Sequence, residues 1–373
     1  LNVLVALLAS VLIVFGSPYA GQLRGAIQSS FPEQYRWIVG GAVAVASLVA
    51  IVSALGRLRR RGHPSQAATN RGRTQALGLR YALIVLAVTM SAIYARVVRS
   101  GNPDVDVVEA FHFVEYGLVA YLFYRVWRNR PDLSGVVFAA CAGLAVGIAD
   151  EWVQWFVPGR VGEMHDVALN AVAVGCGLLF SMAVHPPSSV HMPSARSRLA
   201  LGAALSGLII AVAGFVDRVH LGYEVNDGQV GIFRSQYDAR ELADAAATRP
   251  ARWKASPPPV GGFRREDHYL SEGLWHVQRR NLAVTAGDPW TAWNENVILE
   301  RFYTPVLDRG ARWPAEQRTG FEQNVRGSAR GAYVSDAAPY PIYLVRRSTF
   351  WLATVLVGAV TLWLSSAFAE ATA

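Results

Sequence analysis

Between positions 109 and 170, stretches that are otherwise apolar carry a series of polar side chains. They are Glu109, His112 and Glu115, then Asp150, Glu151 and Gln154, then Arg160, then His165 and Asp166, and finally Asn170. A carboxylate beside a histidine can hold and pass a proton. Carboxylates and imidazoles are also ligand types for a divalent metal, and an arginine at a helix N-terminus suits an anion. Spacing places several of these residues on common helix faces. Glu109 with His112, and His112 with Glu115, stand three apart; Asp150 with Gln154, and Asp166 with Asn170, stand four apart.

Each chemistry has its own subset. An anion site uses the N-termini of the helices holding Glu109 and Asp166, with Arg160 beside them. A metal site uses Glu109, His112, Glu151, His165 and Asp166, but no dense ligand motif such as HExxH occurs, so no metal is assigned. Acid–base work falls to His112 and the pair Asp150/Glu151. The competing reading is structural: acids in a first turn complement the helix dipole, and polar side chains bond across packed helices. No Walker loop, dinucleotide fingerprint, catalytic Ser or Cys motif or haem-attachment motif is present. No catalytic residue and no cofactor is therefore assigned, and the chain reads as a non-enzyme before it reads as an enzyme.

The elements that must position these residues are membrane helices. Of the 373 residues, 52% are hydrophobic and 17% charged, and the mean hydropathy is +0.24. The apolar residues fall in blocks long enough to cross about 30 Å of hydrocarbon. The blocks are 1–15, 37–55, 79–98, 107–124, 135–157, 166–184, 199–216 and 349–368, predicting an all-α bundle of about eight transmembrane helices. The first lacks a positive n-region, and Ser17-Pro18-Tyr19-Ala20 is a poor cleavage site, so it reads as a retained helix. Net charge is +8 with a pI near 9.7. Many arginines flank apolar blocks, which points to chain orientation rather than nucleic-acid binding. Basic loops follow the second block (Arg57, Arg59, Arg60, Arg61, Arg71, Arg73, Arg80), the fourth (Arg125, Arg128, Arg130) and the sixth (His185, His191, Arg196, Arg198). All three become cytoplasmic if both termini are cytoplasmic and residues 218–348 are extracytoplasmic. The polar residues of the fourth, fifth and sixth blocks then lie within roughly 15 Å of the outer surface. They would form an outward-facing pocket.

Cys141 and Cys176 lie inside apolar blocks and read as small core residues. Gly202/Ser206 and Ala171/Gly175 have the spacing of close helix packing. The extracytoplasmic domain, 218–348, reads as mostly helical. Helices are predicted at 267–285 and 290–307, the second opened by Asp288 as N-cap and Pro289 in the first turn. A short strand is predicted at 228–233, and Pro257 to Pro259 reads as a linker or rigid loop. His268, His276, Trp275, Trp290, Trp293 and Trp313 read as an aromatic core or membrane-facing rim before a binding surface. His220 reads as a surface histidine.

The run Glu109-Ala-Phe-His112-Phe, then Asp150-Glu151-Trp152-Val153-Gln154-Trp155-Phe156 with Pro158-Gly159-Arg160, then Asp166 and Asn170 before a Gly-rich tail, resembles the VanZ-like membrane protein family. The resemblance covers about 79–184. That divides the chain into two N-terminal helices with a basic loop (1–78), a four-helix core (79–184), a seventh helix (185–217), the outer domain (218–348) and a last helix (349–373). The family is named for a protein linked to low-level teicoplanin resistance and has no well-established reaction. The resemblance therefore implies a fold and a polar site in the cell envelope, in a bacterial cytoplasmic (inner) membrane. Two functions follow as expectations. In one, the polar cluster binds an anionic group of a lipid-linked or cell-wall precursor. In the other, the chain is an accessory subunit that docks other membrane proteins through its outer domain and helices.

Overall fold

A computed structural model describes the chain apart from residues 61–69, 99–100, 158–161, 259–266, 327–329, 339 and 371–373. The regular structure among the described residues is helical apart from one hairpin and two isolated bridges, and the chain divides into two compact units. The first comprises Leu1–Val153, Met164–Ala213 and Ala353–Ala373; the second, Gln154–Glu163 and Gly214–Leu352.

The helices of the first unit are α1 (Asn2–Ser30), α2 (Tyr35–Arg60), α3 (Asn70–Val97), α4 (Pro103–Trp127), α5 (Ser134–Phe156), α6 (Met164–Val184) and α7 (Ala195–Val219), followed late in the chain by α13 (Arg347–Glu370). Among the described residues, seven helices are long and apolar enough to cross a membrane. The two halves of α1, Asn2–Ser17 and Gly21–Ser30, bent by 56°, make an eighth if they count as one span. The second half continues to Ser30, so the gap between the predicted blocks 1–15 and 37–55 shrinks to the few residues before Tyr35.

α4 and α6 form the centre of the unit. Tyr116, Val119, Ala120 and Tyr124 of α4 are buried against Ala173, Val174 and Leu178 of α6, with Ala139 and Val146 of α5 and Ala6 and Val14 of α1. A second cluster joins Ala54 and Leu58 of α2 to Ile84 of α3 and to Ala183 and Val184 of α6. The outer faces of α1, α2, α3 and α13 expose Leu, Val and Trp side chains, as expected where hydrocarbon rather than water is the neighbour.

Helix spacing rests on small residues. A Cβ added at Gly177 would stand 2.6 Å from the Cα of Gly117, and one at Gly147 would stand 2.9 Å from the Cβ of Asn170. Gly202 lies against Ser365, and the Ser206 hydroxyl donates to the Gly358 carbonyl at 3.1 Å. Gly175 makes no such approach, because a Cβ there would meet nothing within 4 Å. The close approach on α6 belongs to Gly177. Cys141 and Cys176 are buried and unbridged.

The second unit holds an antiparallel hairpin, β1 (Tyr223–Asp227) and β2 (Gly231–Ser235), with Val225 opposite Phe233. Helices follow: α8 (Ala239–Ala255), α9 (His268–Thr285), α10 (Pro289–Phe302), the single turn α11 (Thr304–Val306) and α12 (Ala315–Val325). The strand predicted at 228–233 is therefore the turn and first half of β2. The helix predicted to reach 307 stops at Phe302. Asp288 caps α10 as predicted, accepting from the Thr291 N–H, with Pro289 in the first turn. Of the proline run, Pro259 lies outside the described residues. The core packs Phe233, Leu242, Tyr269, Ile298, Leu299 and Tyr303.

Candidate functional site: a polar cluster among three helices

α4 opens with Asn102 as N-cap, its side chain accepting from the Asp104 N–H, and carries Asp104 and Asp106 in its first turn. α6 carries Asp166 in its first turn. Two helix N-termini at the same end of the bundle thus already hold negative charge against their dipoles. α5 runs the other way and brings Asp150 and Glu151 to that end near its C-terminus.

The cluster grades from exposed to buried. At its rim, His165 Nε2 lies 3.8 Å from Glu109 Oε1, with the histidine side chain 38% and the glutamate 19% exposed. Deeper in, Asp150, Glu151 and Asn170 are all buried, at 3%, 0% and 1%. His112 Nδ1 is 2.8 Å from Asn170 Oδ1. The Asn170 amide nitrogen faces the Gly147 carbonyl at 3.5 Å, which turns its oxygen toward the histidine. An amide oxygen can only accept, so His112 Nδ1 donates in this contact. One turn along, the Tyr116 hydroxyl donates to Asp150 Oδ2 at 2.9 Å in a buried setting. The His112 ring stacks on Tyr116, with centroids 5.9 Å apart and planes 11° apart.

Side chains from all three helices thus meet: Glu109, His112 and Tyr116 from α4, Asp150 from α5, and His165 and Asn170 from α6. Glu115 and Asp166 are half-buried. Gln154 is buried one turn beyond Asp150, in the segment that groups with the second unit. Arg160 lies outside the described residues. Among the described residues, no three metal-ligating side chains gather closely enough to hold an ion. Tyr116 was absent from the residues singled out in the sequence. Its position four after His112 was the available signal, because that spacing shares a helix face.

The second unit holds its own buried polar groups. His276 Nδ1 lies 2.6 Å from Glu295 Oε2, with both side chains at most 1% exposed. Tyr333 and Ser335 donate to Glu295 Oε1. Burial pushes the Glu295 carboxyl up, but the bond and charge of His276, with the two hydroxyls, outweigh it and hold it below its ordinary value. Glu272 accepts from Ser235, Tyr303 and the Gln236 N–H. There burial wins, and the carboxyl lies above its ordinary value. His220, expected at the surface, is 0% exposed. Its Nδ1 donates to the Pro341 carbonyl, and burial lowers its pKa. His268 stacks on Trp155 at 4.6 Å. His276 and His268 are thus interior groups rather than a binding surface.

Residues 3–185 match the model of the VanZ/LLP1 family. The match takes in α1 and α2, which the resemblance read from the motifs left out. No curated protein and no solved structure matches the chain.

Proposed function

From the premise that the chain is a VanZ-like membrane protein over residues 3–185, we propose that its polar cluster binds the head group of a lipid-linked or cell-wall intermediate at the extracytoplasmic end of the bundle. The observation carrying this reading is the convergence of Glu109, His112, Asp150 and Asn170, from three helices, into one layer. Polar groups at that depth in a membrane helix are costly and mark sites more often than chance. The Glu109 carboxylate is an acceptor at the rim, beside His165. Asp104, Asp106 and Asp166 already supply negative charge at the helix N-termini. The head group is therefore engaged through hydroxyl or amine donors in preference to a bare phosphate or carboxylate, which narrows the anionic expectation from sequence.

The test is native mass spectrometry of the full chain in nanodiscs made from its own membrane lipids. Wild type is expected to retain a head-group-bearing lipid that His112→Ala and Glu109→Gln both lose while still eluting as folded protein. Equal retention by the variants would refute the reading. Comigration of the chain with fixed partner proteins after gentle extraction would instead support the accessory-subunit role.

A further inference from the structure

At the opposite end of the same bundle, α2, α3, α4 and α6 enclose a cleft of about 510 Å³, within the range of about 300–1,000 Å³ typical of ligand clefts. Its walls are mainly apolar and small: Ala46, Ala50 and Ala54 from α2, Gly117 from α4 and Gly177 from α6. The cleft runs along α2 from Ala46 to Arg57. Eleven residues at about 1.5 Å each give roughly 16 Å, about half of a 30 Å hydrocarbon core. It is thus one leaflet deep, the length of a single acyl chain.

Its basic end is specific. Arg57 and Tyr121 both line the cleft, with Arg57 Nη1 3.5 Å from the tyrosine hydroxyl. The same Nη1 lies 3.2 Å from His185 Nε2, and Arg128 Nη1 lies 3.1 Å from His185 Nδ1. A neutral imidazole accepts at only one nitrogen, so one guanidinium faces an N–H rather than a lone pair. The neighbouring carbonyls are engaged: Ala183 and Val184 accept from Arg80, and His185 accepts from the Tyr124 hydroxyl. Among the described residues, no carboxylate pairs with Arg57 or Arg128. Two guanidinium groups without a carboxylate among the described residues are a match for a phosphate, which both could bind.

We propose that this cleft binds an anionic phospholipid, one acyl chain lying between α2, α3, α4 and α6 and the phosphate held by Arg57 and Arg128. The basic group meets the leaflet-deep apolar channel at Arg57, which lines it, and Arg128 stands outside the lining, tied to Arg57 through His185. That combination separates this site from a general basic rim attracting anionic lipid.

The test uses the full chain purified in detergent, with phosphatidylglycerol and phosphatidylcholine of identical acyl chains as probes and native mass spectrometry as readout. Wild type should bind phosphatidylglycerol roughly tenfold or more tighter, as two basic residues at an anionic head group imply. The Arg57→Gln/Arg128→Gln double variant should lose that preference, and the Arg57→Lys/Arg128→Lys pair should keep most of it. Ala50→Phe should weaken both lipids by filling the cleft, and Arg59→Gln, at the same end but outside the lining, should change nothing. Glycerol phosphate should not compete. Equal binding of the two lipids, retention of the preference by the Gln pair, equal loss in Arg59→Gln, or full competition by glycerol phosphate would each overturn the proposal. Should the Gln pair fail to fold, Ala50→Phe decides: undiminished binding there refutes the site.

Discussion

Tyr116 and Asp150 separate structure from ligand binding at the level of single residues. The Tyr116 hydroxyl is buried, and its bond to Asp150 is part of how α4 and α5 hold together. Tyr116→Phe leaves a buried carboxylate oxygen without that donor, a loss of about 1–3 kcal/mol. Asp150→Asn keeps one oxygen as an acceptor for the tyrosine, removes the charge and turns the other oxygen into an amide NH2. Thermal unfolding in detergent should therefore fall for Tyr116→Phe and change little for Asp150→Asn. A large loss in both would mean that the charge itself holds the helices. The motif residues Glu109, His112, Asp150 and Asn170 were legible as a cluster because ionisable side chains are conspicuous in apolar blocks. Tyr116 was not, because a tyrosine in an apolar run reads as core until its partner is known. His220 was misread for a related reason: only the fold shows that the Pro341 segment returns to cover it.

Among the elements, what the sequence disclosed best was length and apolarity. What it hid was which small residue makes a contact. Gly202/Ser206 and Ala171/Gly175 have the same spacing, yet Gly202 lies against Ser365 while Gly175 has open space around it, since spacing does not say which face is turned inward. The close approach between α4 and α6 is Gly117 to Gly177, and Gly177→Ala would push the two helices apart. Overpacking of this kind costs about 1–3 kcal/mol, so Gly177→Ala should lower the unfolding temperature while Gly175→Ala, with open space around it, should not. α8 went unpredicted because its residues are largely polar and Pro250 lies within it, although Asp238 and Glu241 form a capping box that marks its start.

The packing of α9 on α10 carries a pH prediction. Glu295 is held below its ordinary value, so its contribution is full above the unfolded pKa, about 4.3, and is lost as pH falls through the lower folded one. Glu272 is raised, so its contribution is full at low pH and is lost as pH rises through its folded pKa. The two oppose each other, and only single variants separate them. Glu295→Gln removes one partner of a buried pair, costing about 3–5 kcal/mol near neutral pH. The gap to wild type should narrow below about pH 4 in thermal unfolding of the full chain. A gap constant with pH would assign the loss to packing rather than to charge.

For the whole molecule, charge distribution is the one feature that orients it. Basic residues end α2 and α4 and precede α7, with Arg57, Arg59, Arg125 and Arg128 at one end of the bundle, whereas Glu109, Asp150, Glu151 and Asp166 gather at the other. Positive loops are retained in the cytoplasm, so the segment before α7 should be cytoplasmic and the β1–β2 hairpin after it extracytoplasmic. Both markers are exposed: His191 before α7 and Gln229 in the hairpin turn. The native Cys141 and Cys176 are buried, so they add little background. A membrane-impermeant maleimide applied to intact cells should label Gln229→Cys and should label His191→Cys only after permeabilisation. The reverse pattern would invert the orientation, moving the polar cluster to the cytoplasmic side and the Arg57–Arg128 cleft to the outer leaflet. Labelling of both in intact cells would mean that α7 does not cross. The orientation also decides which lipids each end can meet, because the cytoplasmic leaflet is rich in anionic lipids. A cytoplasmic basic cleft and an extracytoplasmic acidic cluster would face different head groups, so one bundle would recognise two classes of lipid at its two surfaces.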